Sequence, residues 1–313
     1  MPPTPSRDMD AELKALDDRL NEFLPPRYQH CYGEVPPTSM GSASLKYDEY
    51  GRVAWGEIWT TFCDLALAGG PPHRGTLLEP PSAEEVAADP DGQARILAEV
   101  DRALGLATGV GTLPGYAPGW IGVPCAAEDE ATWLQFAVTA ENVSARRRGR
   151  TLQLPVGPNF RPEKEIKNLV VALAKSLHYW DGHLTDSQQR MAEHEAWEPA
   201  TAAEAAADPA RYAEAEAAIE AAFRAVGLPT SPRRHAGWIG VETEDEEAAV
   251  WLLRAVLVER VPARREENVL FLPVEAAADA ERSGRVAGAF LKAWELWRAH
   301  SRRPAWRPSG RRD

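Results

Sequence analysis

The chain has 313 residues, a formal net charge of −12, 26% charged and 44% hydrophobic residues, which suits about two domains with a full hydrophobic core. Its acidity argues against a duplex nucleic-acid surface, which needs clustered Lys and Arg, and no run reaches the roughly 18 apolar residues of a membrane span. Cys31, Cys63 and Cys125 lie far apart without CxxC spacing, so neither a disulfide framework nor a four-cysteine zinc site is expected, and with no apolar signal core after Met1 the chain reads as reduced and cytoplasmic.

Met9, Leu13, Leu16, Leu20 and Phe23 recur at helical steps before Pro25-Pro26, which predicts an amphipathic helix over 9–24. The polar, aromatic stretch 27–40 reads as an ordered loop. Segments 42–47 and 52–55 flank Asp48-Glu49-Tyr50-Gly51, predicting a hairpin, and a helix over 57–67 should stop at Gly69-Gly70-Pro71-Pro72. Ser82 to Glu85 and Thr201 to Glu204 both have capping-box spacing, and the short helix after each should stop at Ala-Asp-Pro. In each half a second helix follows, then a short buried strand, Gly-Trp-Ile-Gly-Val at 119–123 and 237–241. Helices over 128–141 and 245–259, hairpins ending in Leu-Pro-Val, and long final helices near 164–180 and 283–299 complete the pattern.

These parallels are letter for letter in places. Glu128 matches Glu246, Trp133-Leu134 matches Trp251-Leu252, Glu141 matches Glu259, and Ala145-Arg146-Arg147 matches Ala263-Arg264-Arg265, at an offset of about 118 with roughly half the window identical. The sequence therefore reads as an internal duplication: an N-terminal segment 1–78 packing on a first repeat 79–183, a second repeat 198–300, and a disordered basic tail 301–313. The expected class is α+β, with helix-strand-helix-hairpin-helix units, ferredoxin-like in one version, related by a pseudo-twofold that buries Trp120, Trp133, Trp238 and Trp251. Stretch 42–68 resembles a third hairpin-and-helix piece.

Duplication supplies an internal control: residues present in both copies serve the fold, while polar residues in one copy need another reason. On that test the tryptophans and capping boxes are structural, and the arginine pairs belong on exposed hairpins with a salt-bridged face. Lys164, Lys167, Asn168, Lys175 and His178 share helical spacing in the first copy alone and could line a pocket with basic and amide donors. Gly69 to Gly75 lets backbone approach a ligand and offers His73 and Arg74 to a phosphate or carboxylate, without a Walker or GxGxxG pattern. Arg27, His30, Cys31 and Glu34 could join them, with Cys31 as nucleophile and His73 or His178 as its base; Lys46 adds a further donor. His178 and His183 are five apart, which argues against a helical metal pair. The resulting expectation is a small anionic or polar molecule held by the N-terminal segment and first repeat, with catalysis left open and no cofactor named. The rival is a non-catalytic interaction or assembly protein, for which homo-oligomers are an open option.

Overall fold

The structure, a computed structural model, describes residues 8–24, 44–61, 65–190 and 196–302. Helix α1 (Met9–Phe23) starts where the Asp8 carboxylate caps the Asp10 and Ala11 N–H groups, and it buries Leu16, Leu20 and Phe23. The expected hairpin reduces to one antiparallel bridge, Tyr47 to Val53. In place of an α-helix over 57–67 stand two 3-10 turns, Trp55–Thr61 and Ala66–Ala68. One reason is a long-range contact: the Ala66 N–H donates to the Glu141 carboxylate rather than to a carbonyl one helical turn back.

Next come α2 (Ala83–Ala88), α3 (Pro90–Thr108), β1 (Leu113–Pro114), β2 (Trp120–Pro124), α4 (Glu128–Ala140), β3 (Arg146–Arg148) and β4 (Thr151–Pro155). A π-helical turn, Pro162–Ile166, leads into α5 (Lys167–His183), and α6 (Asp186–Arg190) follows. The rest reads α7 (Ala202–Ala207), α8 (Pro209–Ala225), β5 (Trp238–Glu242), α9 (Glu246–Leu257), β6 (Arg264–Glu266), β7 (Val269–Pro273) and α10 (Ala280–Ser301). The fold is thus mixed helix and sheet, as an α+β chain requires. Both capping boxes form, Ser82 with Glu85 and Thr201 with Glu204.

The strands make two antiparallel sheets, ordered β1-β2-β4-β3 and β5-β7-β6. Their registers agree: Trp120 faces Pro155 as Trp238 faces Pro273, and Arg146 faces Gln153 as Arg264 faces Phe271. Positive φ recurs at the same spacing, at Gly119 and Gly237 (82° and 74°), and at Asn142 and Arg260 (61° and 63°). Core tryptophans pair alike, Trp133 with Trp180 at 5.8 Å and Trp251 with Trp297 at 5.5 Å between ring centroids.

The arginine pairs depart from expectation. Arg146, Arg147, Arg264 and Arg265 are all buried, because the edge strands that carry them are covered by other parts of the chain. Arg146 donates to the Pro199 carbonyl and to Glu204, Arg264 donates to the Asn142 side chain at 3.1 Å, and Arg265 donates to the Gly70 carbonyl. Two of these buried arginines still form the expected ion pairs, with carboxylates that are themselves exposed: Arg147 pairs Glu128 at 2.9 Å and Arg265 pairs Glu246 at 2.5 Å. The N-terminal segment divides its contacts. The first 3-10 turn lies on α3, whereas α1 lies on α9 and α10 and reaches the first half through its end, where Phe23 meets Phe136 at 5.8 Å. Among the described residues no helix is long and apolar enough to cross a membrane.

Candidate functional site

Residues singled out in the sequence disperse into several environments. Arg27, His30, Cys31 and Glu34 lie outside the described residues, as do Cys63 and the tail beyond Arg302. Lys46 sits in an exposed ion pair with Glu57 at 2.7 Å. His178 is on the exposed face of α5, and its Nε2 lies 3.1 Å from Nε2 of His183, the last residue of that helix, so the two rings meet despite the five-residue spacing.

His73 and Lys167 do come together, with Lys175. Burial, then the nearby charges of Lys175 and Lys167, pushes the His73 imidazole down to about 3, so the ring is neutral at pH 7, and its Nδ1 is buried with no hydrogen-bond partner. Burial also lowers Lys167, while Asn168 beside it on α5 is half-buried. At the centre of the cluster lies Glu141, fully buried, which accepts from the Ala66 N–H, the His73 N–H and Lys175 Nζ at 2.9, 2.9 and 2.7 Å. Arg74 turns back on its own loop, Nε to the Thr76 carbonyl at 3.0 Å, and Asn142 donates to the Arg74 carbonyl at 2.8 Å. The Gly69 to Gly75 stretch is thereby tied down by α4 and its C-terminal residues. The same ion pair recurs in the second half, Lys292 with Glu259 at 2.8 Å, where Arg19 of α1 supplies the extra donor at 2.6 Å. Within this cluster the Lys175–Glu141 pair is the part with a counterpart in the second half. Cys125 is no nucleophile at neutral pH, since burial and then Glu130 push its thiol up to about 12.

A cleft of about 420 Å³ lies elsewhere, between the two halves. One wall is Pro80, Pro81, Ser82 and Glu85 with Trp120; the other is Pro199, Ala200, Thr201 and Glu204 with Trp238. The glycines opening β2 and β5 make these walls fit. A Cβ on Gly119 would stand 2.9 Å from Pro81 Cγ, and one on Gly237 would stand 2.4 Å from the Ala200 carbonyl oxygen, closer than real Cβ atoms come, and both residues have positive φ. Each indole is backed by its own buried arginine, Arg146 at 5.6 Å from Trp120 and Arg264 at 5.2 Å from Trp238. Tyr116 completes the aromatic lining, 5.4 Å from Trp120, its hydroxyl accepting from Arg146.

Charge at the cleft is acidic. Glu79, Glu85 and Glu204 line it against the single guanidinium of Arg146, and that cation is already engaged, since its hydrogen bond to Glu204 is the main reason the Glu204 carboxyl falls to about 2. Behind Trp238, burial pushes Glu266 up, but His235 and Arg264 outweigh it and bring the carboxyl to about 2. His235 links this group to the rim, its Nε2 2.9 Å from Glu266 and its Nδ1 3.8 Å from Glu79. Its contact with Glu266, and then the nearby Glu79 carboxylate, raise the His235 pKa. The Ser82 and Thr201 hydroxyls are spent on helix caps. Such a site offers aromatic surface and negative charge rather than an activated nucleophile.

Sequence reasoning missed this cleft because several of the residues that form its walls, Pro80 and Pro199, Glu85 and Glu204, Trp120 and Trp238, recur at matched sequence positions and were assigned to the fold. The signal was present nonetheless, in the repeated Glu-Pro and Gly-Trp-Ile-Gly-Val runs whose residues line it. Among the described residues no group of three or more His, Cys, Asp or Glu is arranged to hold a metal. The chain matches no known family and no curated protein.

Proposed function

We propose that the chain is a doubled module whose copies, related by a pseudo-twofold, enclose a recognition cleft, and that this cleft binds without covalent chemistry a ligand with an apolar or aromatic body and a positive charge. The observation that carries the reading is the pairing of the walls: Pro80 with Pro199, Ser82 with Thr201, Glu85 with Glu204, Trp120 with Trp238. Two copies that present the same prolines, carboxylates and indoles to one space give it a floor for aromatic packing and a rim for a cation. An anionic ligand fits less well there. The basic cluster around His73 offers a weaker site, because Glu141 already neutralises Lys175.

Binding of tryptamine and benzamidine, followed by the rise in melting temperature and by calorimetry, tests the reading against neutral benzamide and anionic benzoate. Both cations should stabilise the protein and the other two should not. Glu79→Gln and Glu85→Gln should each weaken the cations about fivefold, with folding intact because glutamine still closes a capping box. Equal binding of benzoate, or cation binding indifferent to both substitutions, would overturn it.

A further inference from the structure

The final helices of the two halves carry a histidine at the same place. Trp180-Asp181-Gly182-His183 ends α5 and Trp297-Arg298-Ala299-His300 stands near the end of α10, at the spacing that also relates Lys175 to Lys292. In the second half that histidine packs against the core, His300 stacked on Trp251 with ring centroids 5.5 Å apart at 25°. The first half adds another imidazole. His178 stands where the second half has Glu295, and its Nε2 lies 3.1 Å from Nε2 of His183.

Local structure accounts for the meeting. The last turn of α5 is wide, because the Leu184 N–H donates to the Tyr179 carbonyl five residues back, at 3.1 Å, and a turn closed in this way brings residues five apart toward one face. The Tyr179 ring then packs on both imidazoles, 5.8 Å from His178 and 5.0 Å from His183, and holds their centroids 4.9 Å apart at 75°. His178 is exposed and His183 half-buried, so solvent reaches the pair. Two nitrogens at this distance share a hydrogen bond when one ring donates, but the same separation suits chelation. An ion bound by two imidazoles at about 2.0–2.1 Å sets them roughly 2.9 Å apart at a right angle and roughly 3.3 Å apart at the tetrahedral angle, and 3.1 Å falls between. The ring that donated then carries its proton on Nδ1. Unpaired carbonyls at the C-terminus of α5 add a negative potential that favours a cation.

We propose that His178 and His183 chelate one divalent transition-metal ion, Zn²⁺, Ni²⁺ or Cu²⁺, through their Nε2 atoms, with water completing its coordination. Among the described residues no third His, Cys, Asp or Glu joins the pair, and imidazole nitrogen without carboxylate selects these ions over Mg²⁺ and Ca²⁺, which take oxygen ligands. The internal control agrees, since only the first copy has both histidines. No residue of α5 lines the cleft, so the metal site and the cleft reading stand or fall separately.

Calorimetric titration of the full, untagged chain with Ni²⁺, Zn²⁺ and Mg²⁺ in separate runs tests the site. The wild type should bind Ni²⁺ and Zn²⁺ but not Mg²⁺. His178→Ala and His183→Gln should each weaken one equivalent of Ni²⁺ and of Zn²⁺ about a hundredfold, because a single remaining ligand forfeits the chelate advantage. His178 is exposed, so its variant keeps the fold, which an unchanged melting temperature without metal verifies. Absence of Ni²⁺ and Zn²⁺ binding, binding unaltered in either variant, or equal binding of Mg²⁺ would show a hydrogen-bonded histidine pair only and overturn the inference.

Discussion

His73 shows how burial changes what a residue type can do. In the sequence it is a donor beside Arg74 on a glycine-rich loop; in the fold its ring is sealed against Lys167 and Lys175, and only its backbone N–H is spent, on Glu141. A histidine held near pKa 3 in the native state and near 6.5 when unfolded takes up its proton in the unfolded chain first. The His73 contribution is therefore constant above about pH 6.5 and destabilises progressively as pH drops from there toward 3. Glu204 and Glu266, unfolded near 4.5 and native near 2, act with the same sign but only below about 4.5. Burial raises Glu130 and Glu216 above 4.5 and gives them the opposite sign, so the histidine's share is the difference between wild type and a variant lacking it over about pH 6.5 to 4.5. His73→Gln should flatten the dependence of urea-unfolding free energy on pH in that interval; an unchanged slope would show that the ring titrates freely.

At the level of elements, most of the pattern could be read from the sequence because it rests on local chemistry. Hydroxyl caps with a glutamate three residues on, Ala-Asp-Pro stops and a Gly-bounded apolar strand each act within a few residues. What could not be read depends on long-range cover. The helix expected at 57–67 gives way where Glu141, 75 residues further on, captures the Ala66 N–H, and the arginine hairpins are buried by segments 196–204 and 65–74 rather than by anything on their own strands. Helical spacing on α5 likewise grouped Lys175 with His178, yet the first is buried and the second exposed. The matched ion pairs give a direct comparison of context. Lys175 and Glu141 are 1% and 0% exposed, whereas Lys292 and Glu259 are 30% and 20% exposed and share Arg19. Lys175→Met should cost about 3–5 kcal/mol because it strands a buried carboxylate, and Lys292→Met less than about 1 kcal/mol because water and Arg19 remain. Equal losses in urea melts would mean that burial does not set the difference.

Across the whole molecule, a shared apolar core and a set of polar contacts join the halves, and Asn142 is a buried member of that set. Its backbone takes the left-handed conformation at φ 61°, its amide donates to the Arg74 and Arg265 carbonyls at 2.8 Å each, and its side-chain oxygen accepts from Arg264 at 3.1 Å. One side chain thus joins the 69–76 loop, the end of α4 and the hairpin of the second half. Glycine adopts the same φ without strain, so Asn142→Gly removes those three bonds and little else. It leaves two buried carbonyls short of a donor and the Arg264 guanidinium with Glu266 as its remaining acceptor, at a cost of about 2–4 kcal/mol. Because two of the three lost bonds, to Arg264 and Arg265, lie between the halves, the loss should appear in calorimetry as a single transition broadening or dividing in two, the van't Hoff enthalpy falling below the calorimetric one. Arg260→Gly provides the control: φ there is 63°, and its guanidinium lies 5.1 Å from the Phe23 ring at the end of α1, away from the Arg264 junction, so one sharp transition should persist. If both variants melt as sharply as wild type, the halves are held together by apolar packing alone, and the polar junction beneath the cleft is not what keeps its walls in register.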